Sequence, residues 1–255
     1  MTLEILTIPC LADNYAFILR DQATGTVALV DAPESGPIIA ALNEKEWGLD
    51  LILLTHHHYD HIDGVPDLVE AYGSKVIGAK ADAKRLPPLD IALEDGDEVR
   101  IGETVGTNFD VSGHTVGHIA FHFPTAKAVF TADSLMALGC GRLFEGTPDM
   151  MWASLSKFAA LPDDTIVYSG HEYTAGNAKF ALTIEPDNAA LQTRAKDITD
   201  RRANNLPTVP SALALERATN PFLRAHLPEV KAAIGMADAS DAAVFAEIRK
   251  RKDNF

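Results

Sequence analysis

Residues 55–61 read Thr-His-His-His-Tyr-Asp-His, directly after the apolar run Leu51-Ile52-Leu53-Leu54. The run has the length and composition of a buried strand. Four imidazoles and a carboxylate then follow at its end. Imidazoles buried without partners are costly, and protonated together they repel. A cation that accepts their lone pairs removes both costs. Whatever fold the chain adopts must therefore bring the tip of this strand to a place where a metal ion can bind.

The spacing sorts the donors. His56 and His58 are two residues apart, so in extended chain they point the same way and can reach one ion. His57 points the other way and is expected to support or pack. Asp60 and His61 come where the chain turns into Ile62-Asp63-Gly64, and can face a second ion. More donors follow later apolar runs. Asp133 ends Ala128-Val129-Phe130-Thr131-Ala132, His171 follows Ile166-Val167-Tyr168-Ser169-Gly170, and His114 lies in Ser112-Gly113-His114-Thr115-Val116-Gly117-His118. Five histidines and two aspartates are too many for one ion with an open position. Divided between two ions they work: His56, His58 and His114 for one, Asp60, His61 and His171 for the other, and Asp133 bridging. Nitrogen and oxygen donors without thiolate suit zinc, with iron or manganese compatible. Two ions about 3.5–4 Å apart leave room for a bridging hydroxide, which Asp60 and Asp133 would orient. His118, His122 and His226 are expected to be structural, and Cys140 to be a small residue in a Gly139-Cys140-Gly141 turn.

Up to about residue 170 the chain reads as strand-rich. Strands are expected at 3–8, 15–20, 26–31, 51–54, 75–79, 98–101, 106–111, 117–123, 127–131 and 166–168. Helices are expected near 36–45, 64–72 and 149–160, the last capped by Asp149. Beyond about 172, Ala, Leu, Arg and Glu recur at helical spacing, predicting helices at 175–182, 187–204, 210–217 and 241–251 between prolines. Two domains follow, a metal-binding 1–172 and a helical 173–255.

Among the 255 residues no apolar stretch approaches a membrane span. Met1–Leu6 lacks a basic n-region and reads as the start of a strand rather than a signal peptide. Two cysteines, Cys10 and Cys140, make no disulfide framework, so the cytoplasm is the expected location. A net charge of −14 argues against nucleic acid as a partner. Residues 244–255 run against that trend. Arg249, Lys250, Arg251 and Lys252 outnumber Glu247 and Asp253 there, which suits either a small anion or the end of a helix dipole.

The order His56-x-His58-x-Asp60-His61, His114, Asp133, His171 resembles the metallo-β-lactamase superfamily. Further stretches resemble one family within it, glyoxalase II or hydroxyacylglutathione hydrolase. They are Asp13-Asn14-Tyr15, Gly139-Cys140-Gly141-Arg142-Leu143-Phe144-Glu145-Gly146-Thr147, Gly170-His171-Glu172-Tyr173-Thr174, Pro207-Thr208-Val209-Pro210-Ser211, Asn220-Pro221-Phe222 and Arg249 to Phe255. The resemblance implies an α+β fold, a four-layer αββα sandwich with a C-terminal helical domain. It implies hydrolysis of S-(R)-lactoylglutathione to glutathione and D-lactate by a dinuclear centre, and nothing in the sequence demands more than a monomer. It also places Arg142, Phe144 and Tyr173 at the glutathione moiety and Arg249 and Lys252 at its glycine carboxylate. Phe144 departs from the tyrosine of many relatives, which removes one hydroxyl contact. The alternatives are a lactonase or amidase of the same fold, or a persulfide dioxygenase with one iron.

Overall fold

The computed structural model describes residues 3–255, so Met1 and Thr2 of the expected strand start lie outside the described residues. The chain divides into two compact units. One comprises Met1–Asp110 and Val116–Thr131, the other Val111–Thr115 and Ala132–Phe255.

In the first unit, β1 (Leu3–Cys10), β2 (Asn14–Asp21), β3 (Val27–Val30), β4 (Leu51–Leu53), β5 (Lys75–Ala79) and β6 (Ile91–Leu93) form a mixed sheet in that order. The first three strands are antiparallel, and β3 to β6 run parallel. Parallel neighbours need crossovers. Helix α1 (Ser35–Lys45) joins β3 to β4, and α2 (Tyr59–Ile62) and α3 (Val65–Tyr72) join β4 to β5. Tyr15 to Leu19 in β2 are buried without alternation, as in a strand covered on both faces. Ile18, Leu29 and Ile52 from the sheet share one core with Ile38 and Leu42 of α1 and Leu68 of α3.

A second set, β7 (Glu98–Ile101), β8 (Thr104–Asp110), β9 (Ile119–Phe123) and β10 (Ala128–Ala132), forms an antiparallel meander. Gly106 lets β8 lie against Phe123, whose ring would stand 2.6 Å from any added Cβ. Strand β6 escaped the sequence reading because three residues, two of them exposed, carry no period.

In the second unit, β11 (Leu135–Met136) and β12 (Gly139–Cys140) form a small hairpin, and β13 (Ile166–Ser169) pairs with β14 (Ser211–Ala212). The helices are α4 (Pro148–Ala159), α5 (Thr174–Ile184), α6 (Ala189–Ala203), α7 (Leu213–Thr219), α8 (Pro228–Ala233) and α9 (Asp241–Asp253). Three expectations need correction. Thr147, not Asp149, caps α4, its hydroxyl accepting from the Met150 N–H at 3.3 Å, because Pro148 takes the first helical position and so puts the cap two residues upstream of Asp149. The helix expected from 210 starts at Leu213, since Ser211 and Ala212 are taken by β13. Gly139-Cys140 is a strand, and the turn lies at Ala137-Leu138. No described helix is long and apolar enough to cross a membrane.

Candidate metal centre

In the first unit the ligand candidates leave the tip of β4 in a short loop that winds into α2. His56 Nε2 and His58 Nδ1 lie 3.2 Å apart. Two nitrogens bound to one zinc at about 2.0–2.1 Å in tetrahedral geometry sit about 3.3–3.4 Å apart. Both imidazoles thus direct nitrogen atoms toward one point at ligand spacing. His61 packs its ring on His56, with centroids 4.2 Å apart.

A residue that the sequence reading left without a role organises this loop. Asp31, just past the end of β3, accepts from the Thr55 N–H at 2.9 Å and the Thr55 hydroxyl at 2.8 Å, and faces His61 Nδ1 at 2.8 Å. With its proton committed to Asp31, the Thr55 oxygen accepts from His56 Nδ1 at 3.0 Å. Both histidines then carry their protons on Nδ1 and turn Nε2 lone pairs outward, as metal ligands require. Asp31, His56 and His61 form a group whose donor atoms lie within 4.8 Å of one another. With both Asp31 oxygens engaged, we assign this carboxylate to orientation rather than ligation. Its backbone is left-handed, at φ 57°, a conformation that aspartate tolerates. The signal was available in the sequence: Asp31 also follows an apolar strand.

Asp60 is held from the other side by Asn14, whose side-chain amide donates to its carboxylate at 3.1 Å and its carbonyl at 2.9 Å. His57 contacts Asp82 at 2.9 Å, as a supporting residue would. His118 stacks on His56, centroids 4.6 Å apart at 13°.

In the second unit, His114 Nε2 lies 3.4 Å from one oxygen of Asp133, and His171 Nε2 lies 3.3 Å from the other. A charge-assisted bond would be about 2.7–2.9 Å. The longer spacing again matches two ligand atoms on one small cation, with Asp133 offering one oxygen to each side. His114 Nδ1 donates to the Arg142 carbonyl at 2.8 Å, which turns its Nε2 toward Asp133. Gly141 permits this arrangement, since a Cβ there would lie 2.1 Å from the Asp133 carbonyl and 2.8 Å from His114 Nδ1.

Aromatic rings cover two of these imidazoles. Tyr173 stacks on His171, centroids 4.6 Å apart at 7°, and Phe144 meets His114 edge-on at 5.3 Å. Both rings are exposed on the far side. Arg249 is buried, donating to the Cys140 carbonyl at 2.9 Å and to Asp253 at 2.7 Å, with its guanidinium 5.2 Å over Phe222. Lys252 lies over Phe180 and Phe255 and contacts the Gly176 carbonyl at 3.4 Å. Burial, then the positive charges of Arg249 and Arg142, holds Lys252 below the ordinary lysine pKa. Burial pushes the Cys140 thiol up to about 11, so it is no thiolate at neutral pH.

These donors fit divalent ions: imidazoles with fixed tautomers, carboxylate oxygens and no thiolate. Comparison with known proteins agrees. The model of the metallo-beta-lactamase superfamily matches residues 13–171, and that of the hydroxyacylglutathione hydrolase C-terminus matches residues 172–255. A hydroxyacylglutathione hydrolase of Ruegeria pomeroyi is 63% identical over 255 residues, covering 100% of both chains. One from Jannaschia sp. is 64% identical over 252 residues, covering 99% of this chain and 98% of the relative. Among solved structures, ETHE1 from Myxococcus xanthus has a TM-score of 0.69 at 24% identity, covering 98% of this chain and 90% of that one. TTHA1623 in a di-iron-bound form has a TM-score of 0.63 at 25% identity, covering 86% and 100%. With both family models matched in series and relatives of this identity aligned end to end, the chain belongs to the hydroxyacylglutathione hydrolase (glyoxalase II) family, with the metallo-β-lactamase fold followed by a helical C-terminal region.

Proposed function

We propose that this chain hydrolyses S-(R)-lactoylglutathione and related hydroxyacylglutathione thioesters to glutathione and D-lactate, acting as a cytoplasmic monomer. His56, His58 and His114 would hold one divalent ion, Asp60, His61 and His171 a second, and Asp133 both, with zinc the expected metal. The observation that carries the reading is the second unit's own arrangement. Asp133 divides its oxygens between two imidazoles, an aromatic ring flanks each imidazole, and three cations cluster in the same unit. That combination suits an anionic thioester beside a metal centre. The di-iron form of TTHA1623 supports a two-ion count.

Ions bound at these donors would supply Lewis acidity toward the thioester carbonyl and a water-derived nucleophile at neutral pH. The chain's own residues do the rest. Lys252 and Arg249 attract the glycine carboxylate of glutathione, Arg249 from its buried position, and Arg142 meets the glutathione moiety with Tyr173. Tyr173 and Phe144 offer apolar faces to the thioester arm. Asp60 and Asp133 accept a hydrogen bond from the attacking water and so aim its lone pair at the carbonyl carbon. The leaving thiolate, with a reference pKa of about 8.5, departs without a general acid.

The test is hydrolysis of lactoylglutathione against a lactone and a β-lactam, before and after chelation, with the metal counted. Thioester hydrolysis that chelation abolishes, that zinc restores and that runs with two ions per chain is expected. A metal-replete protein that leaves the thioester intact would sink the reading, and one iron per chain with persulfide oxidation would replace it.

A further inference from the structure

The hairpin of β11 and β12 is poorly provided for by its own sequence. Its two-residue loop is Ala137-Leu138, and Leu138 sits at φ 56°, where glycine or asparagine is the usual choice. Nothing in Ala-Leu favours that turn. Its backbone groups are instead satisfied from the helices. Asn220, the C-terminal cap of α7, donates to the Met136 carbonyl at 3.1 Å and the Gly139 carbonyl at 3.0 Å. Asn177 of α5 donates to the Ala137 carbonyl at 3.0 Å, and Arg249 of α9 to the Cys140 carbonyl at 2.9 Å. The Leu138 N–H donates to Glu216 of α7 at 2.8 Å. The Leu138 side chain is buried with Ala178, Ala181, Leu191 and Ile198.

Glu216 is the centre of this frame. It is fully buried, and both of its oxygens are shared. One accepts from Leu138 and from the Asn220 amide at 3.2 Å, the other from Ser211 at 2.6 Å and the Arg194 guanidinium. The hairpin it holds starts two residues after Asp133. At its exit, the Gly141 N–H donates to the Asp133 carbonyl at 3.0 Å, and the Arg142 carbonyl receives His114 Nδ1 at 2.8 Å. A shift of the hairpin therefore moves one ligand and releases the tautomer of another.

We propose that Glu216 is a positioning residue for the metal centre, fixing Asp133 and His114 through the β11–β12 hairpin. The C-terminal helices thus act as a frame for the ligands as well as a surface for substrate. The proposal rests on the metal-centre reading above, and its experiment separates the two.

In Glu216→Gln, the single remaining oxygen stays with Arg194, because an unpaired buried guanidinium is the costlier alternative. The amide NH₂ then confronts the Leu138 N–H and the Asn220 amide, donor against donor. The comparison uses wild type, Glu216→Gln, Asn220→Ser, and Val230→Ala as a control for lost packing, Val230 being buried on α8. Zinc affinity is measured by chelator competition, and the visible spectrum is recorded after cobalt substitution. Glu216→Gln should weaken metal binding about 10–100-fold, the usual range for groups behind the ligands, and alter the cobalt spectrum. Asn220→Ser, which keeps the Arg194–Glu216 pair, should shift both in the same direction. Val230→Ala should lower Tm and leave both unchanged. Wild-type affinity and spectrum in Glu216→Gln overturn the proposal, as they do in Asn220→Ser if the first variant does not fold. So does an equal loss in Val230→Ala. A wild-type chain that binds neither zinc nor cobalt overturns the metal-centre reading, and the proposal with it.

Discussion

The two units steady their metal-ligand candidates in opposite ways. In the first, one side chain does most of the work: Asp31 reaches Thr55 and His61 directly and His56 through Thr55, and all three lie in the loop after β4 and the short helix α2 it enters. In the second, the ligands are steadied through backbone. A hairpin is gripped at five consecutive residues by Asn177, Glu216, Asn220 and Arg249, from three helices far along the chain. Orientation by a carboxylate needs one residue at the right strand end. Orientation by a hairpin needs a folded helical region, which gives the C-terminal helices a reason to accompany the metal ligands.

The comparison breaks most directly at Asp31. Asp31→Asn keeps the left-handed backbone and the size but sets an NH₂ against one of its donors. Metal affinity should fall about 10–100-fold, with kcat falling as metal is lost. Chelator competition checks this, and an unchanged affinity would mean that the loop orients its histidines without Asp31.

Next come the two cations of α9, which the structure separates. A hydrogen bond to a charged group is worth about 1.5–3 kcal/mol, so Lys252→Ala should raise KM roughly 10–100-fold with kcat nearly constant. Arg249→Ala should raise KM too, and in addition lower stability by about 1–3 kcal/mol, because it strips the buried Cys140 carbonyl of its donor. Steady-state kinetics paired with thermal unfolding tells them apart. An Arg249→Ala protein of wild-type Tm would assign Arg249 to substrate alone.

Lys252 also sets a pH dependence. Its pKa in the free protein lies below that of an ordinary lysine, through burial and then the charges of Arg249 and Arg142. A bound carboxylate favours the protonated form, so affinity is full below that depressed pKa and falls as pH rises through it. KM should therefore climb at a lower pH than an ordinary lysine would dictate, and Lys252→Ala should flatten the profile. A KM that stays level up to the ordinary lysine range would remove Lys252 from the substrate site.

The smallest effect belongs to Phe144. Phe144→Tyr adds one neutral hydrogen bond, worth about 0.5–1.5 kcal/mol, and should lower KM about 2–10-fold. An unchanged KM would show that the ring edge on His114, not a hydroxyl, is what this position supplies.

Much of the candidate site is legible in the sequence, for a local reason. Histidines two apart in extended chain share a face, and donors that follow apolar runs collect where strands end. The same rule reaches Asp31, at the tip of β3. Its importance was hidden because one carboxylate after one strand does not reveal that it will meet Thr55 and His61. Short elements were the least legible part of the fold. β11, β12 and β14 have two residues each, too few to show a period. They form because partners elsewhere satisfy their backbone groups: Asn220 and Arg249 donate to carbonyls of β11 and β12, and β14 pairs with β13.

The sequence by itself determined the donor set, its order along the chain and the chemistry it can support, because a lone pair belongs to a residue wherever that residue sits. The tertiary structure decided which nitrogen of His56, His61 and His114 is left to ligate and how firmly Asp133 is aimed. Those depend on partners such as Asp31, which lies 30 residues from His61, and Glu216, which lies 78 residues from Leu138. Hydrogen bonds of that span exist only once the core has folded around them.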